Sequence, residues 1–270
     1  MRILDGSELA GFIKERQAKQ VRGLRQAHKV FPHLAVIRTN QDPASATYVR
    51  LKKTYGADIL IDVTEYNVAQ SEVPSLIKKL NADTGVHGII LQLPMADQTN
   101  VQELLDSVAP QKDVDGLGKN AVLEPATPMA IMWLLAGYNI DLAGKNIVVV
   151  GQGRLVGGPL TKTLVSQGYK VTPVDDKTDN MEQIVRQADI LITGVGVPGL
   201  IKSTLIKPGA VVVDAGTAAE KGKLVGDVDP AARVRHDLTI TPEKGGVGPL
   251  TVCALFDNVI RAATNTINVN

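Results

Sequence analysis

Two α/β domains, each built on a parallel sheet, with the second a Rossmann-like dinucleotide-binding domain and a cleft between them, are predicted by three observations. Residues 34–91 alternate short apolar runs with amphipathic stretches in the order β, α, β, α, β, the order of a parallel sheet covered by helices. A second alternation starts at Asn146, and its first apolar run leads directly into the glycine-rich turn Gly151-Gln152-Gly153. Between the two lies a loop-like stretch, 110–126, marked by Pro110, Gly116, Gly118 and Pro125. With 270 residues the chain is long enough for two domains and a sizeable core. The first domain is expected over 1–126, completed by a C-terminal helix within 250–270, and the second over 127–249.

Residues 7–29 read as a charged amphipathic helix with Leu9, Phe12, Ile13 and Val21 as its apolar positions, ended by Pro32. Leu34-Ala35-Val36-Ile37 is a short strand. Asp42 then serves as an N-cap and Pro43 as the first helical residue of a helix that Gly56 closes. A second strand is predicted over 58–63, a helix over 71–82 and a third strand over 86–91. Thr127-Pro128 opens a strongly apolar helix through about Gly137, in which Trp133 reads as packing. The second domain begins with the strand 146–150, followed by a helix from Pro159 to Gln167. Further strands are expected at 169–174, 188–193 and 210–214, and a final helix from about Leu250 to Ala263 follows a glycine-rich stretch.

Lys plus Arg is 29 and Asp plus Glu is 28, a net charge of +1 that gives no basic excess and so no sign of a nucleic-acid partner. Cys253 is the single cysteine, which excludes an internal disulfide and any thiolate cluster; in Val252-Cys253-Ala254-Leu255-Phe256 it reads as buried and structural. His28, His33, His87 and His236 lack metal-site spacing, and no metal is expected. Asp5 interrupts the opening residues too early for a signal peptide, and no apolar stretch is long enough to span a membrane. A cytoplasmic, membrane-free protein is expected.

The turn Gly151-Gln152-Gly153-Arg154-Leu155-Val156-Gly157 spaces its glycines G-x-G-x-x-x-G, one residue longer than the common dinucleotide fingerprint. Glycine permits positive φ and close approach of a diphosphate, and the following helix directs free N–H groups toward it. A tight structural turn is the alternative. Asp175 and Asp176 stand at the end of the second strand, where a carboxylate accepts the ribose 2′-hydroxyl of NAD and repels a 2′-phosphate. Arg154 and Lys177 pull the other way, and the balance favours NAD over NADP. Val156, Thr193 and Gly194 complete the residues expected to line the cofactor.

Tyr48 and Lys52 are four residues apart and share one helix face. A tyrosine ring stacks on a flat heterocycle, and a lysine of lowered pKa moves protons on it. Alone, the pair also fits a plain amphipathic surface. Gln92 follows the third strand, at the carboxyl end where ligands of parallel sheets bind, and its amide can hold Lys52. Asp113 and Asp115 lie in the next loop, where Asp115 can accept hydrogen bonds from an amino-substituted ring; a satisfied loop carboxylate is the alternative.

These residues resemble the bifunctional methylenetetrahydrofolate dehydrogenase/cyclohydrolase family nearly end to end. The resemblance is carried by Pro43-Ala44-Ser45, Tyr48-Val49 with Lys52, Gln92-Leu93-Pro94, Lys112-Asp113-Val114-Asp115-Gly116, Thr127-Pro128, Gly226-Asp227-Val228-Asp229 and Gly245-Gly246-Val247-Gly248-Pro249-Leu250-Thr251. It implies that Tyr48 stacks on a folate ring, that Lys52 is the main catalytic residue, that Gln92 orients it and that Asp115 binds the pterin edge. It implies that Gly246, Pro249 and Thr251 lie near the folate, and that the protein is a cytoplasmic homodimer joined through the nucleotide domain. The implied chemistry is oxidation of 5,10-methylenetetrahydrofolate with NAD(P) followed by hydrolysis to 10-formyltetrahydrofolate. The chain departs from the family pattern at four places. Gly151-Gln152-Gly153 replaces Gly-Arg-Ser, and Asp175-Asp176 replaces His-Ser, both favouring NAD. The link from Asp115 to Pro125 is short, with Ala126 in place of a Cys, and Lys244 replaces a Pro. The competing readings are a member with one of the two activities, another two-domain dehydrogenase acting on shikimate or an amino acid, and a non-catalytic nucleotide-binding protein.

Overall fold

The computed structural model describes residues 1–220 and 223–267. They pack as two compact units, Met1–Ala10 with Thr127–Thr251, and Gly11–Ala126 with the chain from Val252 onward. The first half of the chain forms β1 (Arg2–Ile3), α1 (Gly6–Ala27), β2 (His33–Arg38), α2 (Pro43–Asp58), β3 (Asp62–Asn67), α3 (Val73–Ala82), β4 (Gly88–Leu91) and α4 (Val101–Asp106). Then come α5 (Ala126–Gly137), β5 (Ile147–Val150), α6 (Gly157–Ser166), β6 (Val171–Val174), α7 (Met181–Arg186) and β7 (Ile190–Thr193). The chain continues with β8 (Val211–Asp214), β9 (Ala218–Glu220), β10 (Lys223–Val225), β11 (Thr239–Ile240) and α8 (Val247–Asn265).

The unit containing Gly11–Ala126 is built on a parallel sheet of order β3-β2-β4. Side chains alternate across β2, so Ala35 and Ile37 join a core with Val73, Ile77 and Leu80 of α3 and Val101, Leu104 and Leu105 of α4. Asp42 caps α2 as its sequence suggests: its carboxylate accepts the Ser45 N–H at 2.8 Å. Gly56 does not end this helix, which runs on to Asp58. A Cβ at Gly56 would lie 2.6 Å from Val63 Cγ2 and 3.3 Å from the Phe256 ring, so the glycine permits close packing inside the helix. The helix ends through Leu60, whose φ is +64°, with the Ile61 N–H donating back to Gly56 O at 2.8 Å. The predicted strand 58–63 is therefore displaced to Asp62–Asn67: Ile59 and Ile61 are buried as anchors of a turn, and the strand takes up only after them.

The other unit holds a six-stranded sheet, β1-β11-β8-β7-β5-β6, parallel throughout. Val148 and Val150 of β5, Leu191 of β7, Val212 of β8 and Ile240 of β11 share one core with Val185 of α7. The other face of β5 meets α6, where a Cβ on Gly157 would lie 3.3 Å from Val149 Cγ1. The sequence predicts 1–10 as part of the first domain, whereas the fold groups Met1–Ala10 with Thr127–Thr251: Arg2–Ile3 adds an edge strand beside Thr239–Ile240, and Gly6 opens α1. Its missing side chain makes room for the Gly246 carbonyl oxygen, 1.8 Å from where a Cβ would stand. The final helix starts at Val247, ahead of the predicted Leu250.

Candidate active site

α2 presents Tyr48 and Lys52 on one face, with Tyr48 at 36 % exposure and Lys52 recessed. The far end of that helix is fixed by a buried polar cluster. The Tyr55 hydroxyl donates to Gln17 Oε1 at 2.7 Å and sits 3.1 Å from Cys253 Sγ, Gln17 Nε2 donates to Cys253 O at 2.8 Å, and the Tyr55 and Phe256 rings lie 5.0 Å apart. Cys253 is buried, and burial pushes its thiol up. Lys52 Nζ donates to Gln92 Oε1 at 2.6 Å. Gln92, just past β4 and buried, donates from Nε2 to Leu93 O at 3.0 Å, which fixes which end of its amide faces the lysine. Burial lowers the Lys52 pKa, and the charge of Asp115 partly offsets this. Burial raises Asp115, against the opposing pull of Lys52.

Asp115 stands on a loop organised by its neighbour. Asp113 is buried and accepts the Gly116 N–H at 3.0 Å and the Gly118 N–H at 2.7 Å. Gly116 adopts φ +69°, a conformation suited to glycine, and a Cβ there would strike Leu123 O at 2.8 Å. Asn258 of α8 spans both ends of this segment, donating from Nδ2 to Val114 O at 2.9 Å and Glu124 O at 2.8 Å. Lys52, Gln92 and Asp115 thus form one electrostatic group in this unit, while Gly246, Pro249 and Thr251, at and just after the start of α8, fall within the other.

In the six-stranded unit the turn after β5 has the glycine geometry a diphosphate loop needs. Gly151 has φ +89°, Gly153 has open space beside its Cα, and a Cβ on Gly157 would lie 1.6 Å from Gly151 O. Gln152 braces the turn, donating to Val149 O at 2.9 Å and accepting from Thr161 Oγ1 at 3.1 Å. Arg154 is exposed on it. Val156 packs over Gly194, where a Cβ would come 2.8 Å from Val156 Cγ1. Past β6, Asp175 Oδ1 accepts the Thr178 hydroxyl at 2.8 Å and the Lys177 N–H at 3.0 Å, which hold its pKa below the usual carboxylate range; Asp176 beside it is exposed. Thr193, at the end of β7, donates to Asp227 at 2.6 Å. Among the described residues, no three His, Cys, Asp or Glu side chains are grouped to hold a metal ion, and no helix is long and apolar enough to cross a membrane.

Residues 4–115 match the tetrahydrofolate dehydrogenase/cyclohydrolase catalytic domain, and residues 125–267 match the NAD(P)-binding domain of the same family. The chain belongs to the tetrahydrofolate dehydrogenase/cyclohydrolase family. It is 40 % identical to the bifunctional protein FolD of Acetivibrio thermocellus, over 97 % of this chain and 96 % of that one. The crystal structure of the Campylobacter jejuni bifunctional enzyme FolD, a methylenetetrahydrofolate dehydrogenase/cyclohydrolase, superposes with TM-score 0.92 at 36 % identity, covering 98 % of this chain and 99 % of that chain. The Trypanosoma brucei methylenetetrahydrofolate dehydrogenase-cyclohydrolase, solved with NADP and an inhibitor, superposes with TM-score 0.91 at 32 % identity, covering 98 % of each chain.

Three residues of this family member shape loops in ways residue type only partly shows. Asp113 fits the sequence's alternative of a satisfied loop carboxylate, through its bonds to Gly116 and Gly118, whereas Asp227 stands in the sequence only as part of a motif and nothing in residue type points to Asn258. The glycines flanking the first two, Gly116, Gly118, Gly216 and Gly226, were the available signal, since each leaves space for a carboxylate or a tight loop.

Proposed function

We infer that the protein performs two linked reactions on one folate. It oxidises 5,10-methylenetetrahydrofolate to 5,10-methenyltetrahydrofolate with NAD(P)+, and it hydrolyses that product to 10-formyltetrahydrofolate. The observation that carries the second step is the recessed Lys52 amine, lowered in pKa by burial and held 2.6 Å from Gln92. A lysine of ordinary pKa is almost wholly protonated near neutrality, whereas a lowered one keeps a usable fraction of free amine. As water adds to the cationic methenyl carbon, Lys52 takes the proton that the water loses. The resulting ammonium protonates the ring nitrogen that departs, the hydroxyl proton leaves to solvent, and one proton is released overall. Gln92 aims the amine, Asp115 accepts from the amino-substituted edge of the pterin, and the half-exposed Tyr48 ring stacks on its face. We assign Gly246, Pro249 and Thr251 to the folate's surroundings on the family resemblance.

The turn Gly151 to Gly157 fits a dinucleotide: positive φ at Gly151, the open side of Gly153 and the helix N-terminus at Gly157 are what a diphosphate requires. When bound, the oxidised nicotinamide supplies the electron-pair acceptor of the first step. Gly151, Gln152, Gly153, Arg154, Val156, Gly157, Thr193 and Gly194 would hold it. NAD is favoured over NADP, because Asp175 is charged at neutral pH and stands with Asp176 at the β6 end, where a 2′-phosphate would meet like charge. The resemblance further supports a cytoplasmic homodimer joined through the nucleotide-binding unit.

The deciding experiment follows oxidation and hydrolysis separately by absorbance. Turnover of methylenetetrahydrofolate is expected with both dinucleotides, faster with NAD+. A strong preference for NADP+ would overturn the reading of Asp175 and Asp176. Lys52→Met is expected to lower hydrolysis by about 100-fold or more while dinucleotide binding persists. Undiminished hydrolysis in that variant removes Lys52 from the mechanism.

A further inference from the structure

We propose that Asp227 is a positioning residue for the dinucleotide, acting through the loop 194–197. The proposal rests on the dinucleotide reading above. β5 lies between β6 and β7, so the chain leaves β5 to one side and then crosses back to the other. In open parallel sheets a ligand binds beyond the carboxyl ends of the strands at such a reversal. Two loops border that point, the glycine turn after β5 and the segment 194–197 after β7. They touch: a Cβ on Gly151 would lie 2.8 Å from Val195 Cγ2 and 2.9 Å from Gly194 O.

The second loop has no helix to stiffen it. Its shape is set by Asp227, which is fully buried and takes four hydrogen bonds. Oδ2 accepts the Thr193 hydroxyl at 2.6 Å and the Val195 N–H at 2.7 Å, and Oδ1 accepts the Gly196 and Val197 N–H groups, each at 2.8 Å. Three consecutive amides converging on one anion form a nest, with Gly196 at φ +83° supplying the left-handed residue. With those donors turned inward, the loop shows solvent its Val195 and Val197 side chains, 40 % and 47 % exposed, beside the glycine turn. A ligand meets an apolar wall there rather than competing amides.

Asp227 is itself held in place. Its own N–H donates to Asp214 Oδ1 at 3.0 Å, the Val228 N–H donates to Asp214 Oδ2 at 3.1 Å, and Arg233 pairs with Asp214 at 2.7 Å. Gly216 makes room for it, since a Cβ there would come 2.1 Å from Asp227 Cγ. A buried carboxylate is a costly support for an ordinary surface loop, and here all four bonds to its oxygens come from Thr193 and the residues 195–197 that follow it beside the glycine turn.

The test uses Asp227→Asn, which keeps the shape but puts an amide nitrogen where one oxygen accepted loop donors. KM for NAD+ is expected to rise about tenfold or more with kcat within threefold, and calorimetric titration of the resting enzyme with NAD+ should show a matching loss of affinity. The ratio of oxidation at low NAD+ to methenyl hydrolysis should fall by the same factor. If Asp227→Asn does not fold, Gly196→Ala strains the left-handed residue of the nest, leaves every residue assigned to hold the dinucleotide in place, and should raise KM for NAD+ about threefold. An unchanged KM, or an equal fall of oxidation and hydrolysis together, overturns the proposal. If the wild-type enzyme binds neither NAD+ nor NADP+, the dinucleotide reading itself falls and takes this proposal with it; if the wild type binds and the variants match it, only the role of Asp227 is lost.

Discussion

At the scale of the residue, Lys52 gives the site a pH signature with a definite sign. Burial holds its pKa below the ordinary 10.5 of lysine, and the Asp115 carboxylate pushes it part of the way back. Hydrolysis needs the free amine, so its rate should rise with pH and level off above the lowered value, at a lower pH than an ordinary lysine would give. Asp115→Asn removes the upward push, and the rising limb should move to lower pH; a limb that moves to higher pH would contradict the electrostatics. The measurement is kcat for methenyl hydrolysis against pH, with spontaneous hydrolysis subtracted. The same shift bears on stability. Between the lowered pKa and 10.5 the unfolded chain binds more protons at this lysine than the folded one, so the contribution of Lys52 to stability increases with pH across that window.

At the scale of the element, patterning was legible where the cause is local and illegible where it is not. Asp42-Pro43 announced α2 because an N-cap and an N1 proline act within one turn. The alternating order of strands and helices gave the parallel sheets because each element buries its own apolar face. β3 was misplaced because Ile59-Leu60-Ile61 has the composition of a strand and the job of a turn. β1 and β11 are two residues each, too short to carry a period. The partners of Asp113, and three of the four that Asp227's carboxylate accepts, are backbone amides, so residue type marks them only through the glycines nearby. Gly56 shows the same limit from the other side. Alanine in a helix interior is favoured over glycine by about 1 kcal/mol. Here its methyl would press on Val63 Cγ2 at 2.6 Å and Ile61 O at 2.8 Å. Gly56→Ala is therefore expected to destabilise the protein by about 1–3 kcal/mol, the usual range for overpacking. Urea unfolding of the variant checks this, and a gain in stability would show that the contact relaxes freely.

At the scale of the whole molecule, the expected homodimer is tested by light scattering, which should give twice the 28.7 kDa chain mass at micromolar concentration. A mass of one chain would leave the catalytic reading intact and remove the assembly. The grip of Asn258 has a different consequence. A single side chain amide ties down the carbonyls of Val114 and Glu124, Leu117 is buried, and the Gly118 and Lys119 N–H groups are held by Asp113 and Asp106, so the loop between those two posts is bound at its base and exposed at its tip around Val122. Its length can be trimmed or extended at the tip while the anchorage beside Asp115 stays where it is. The short link that the family resemblance implies between Asp115 and Pro125 is thereby compatible with an acid that stays in electrostatic reach of Lys52.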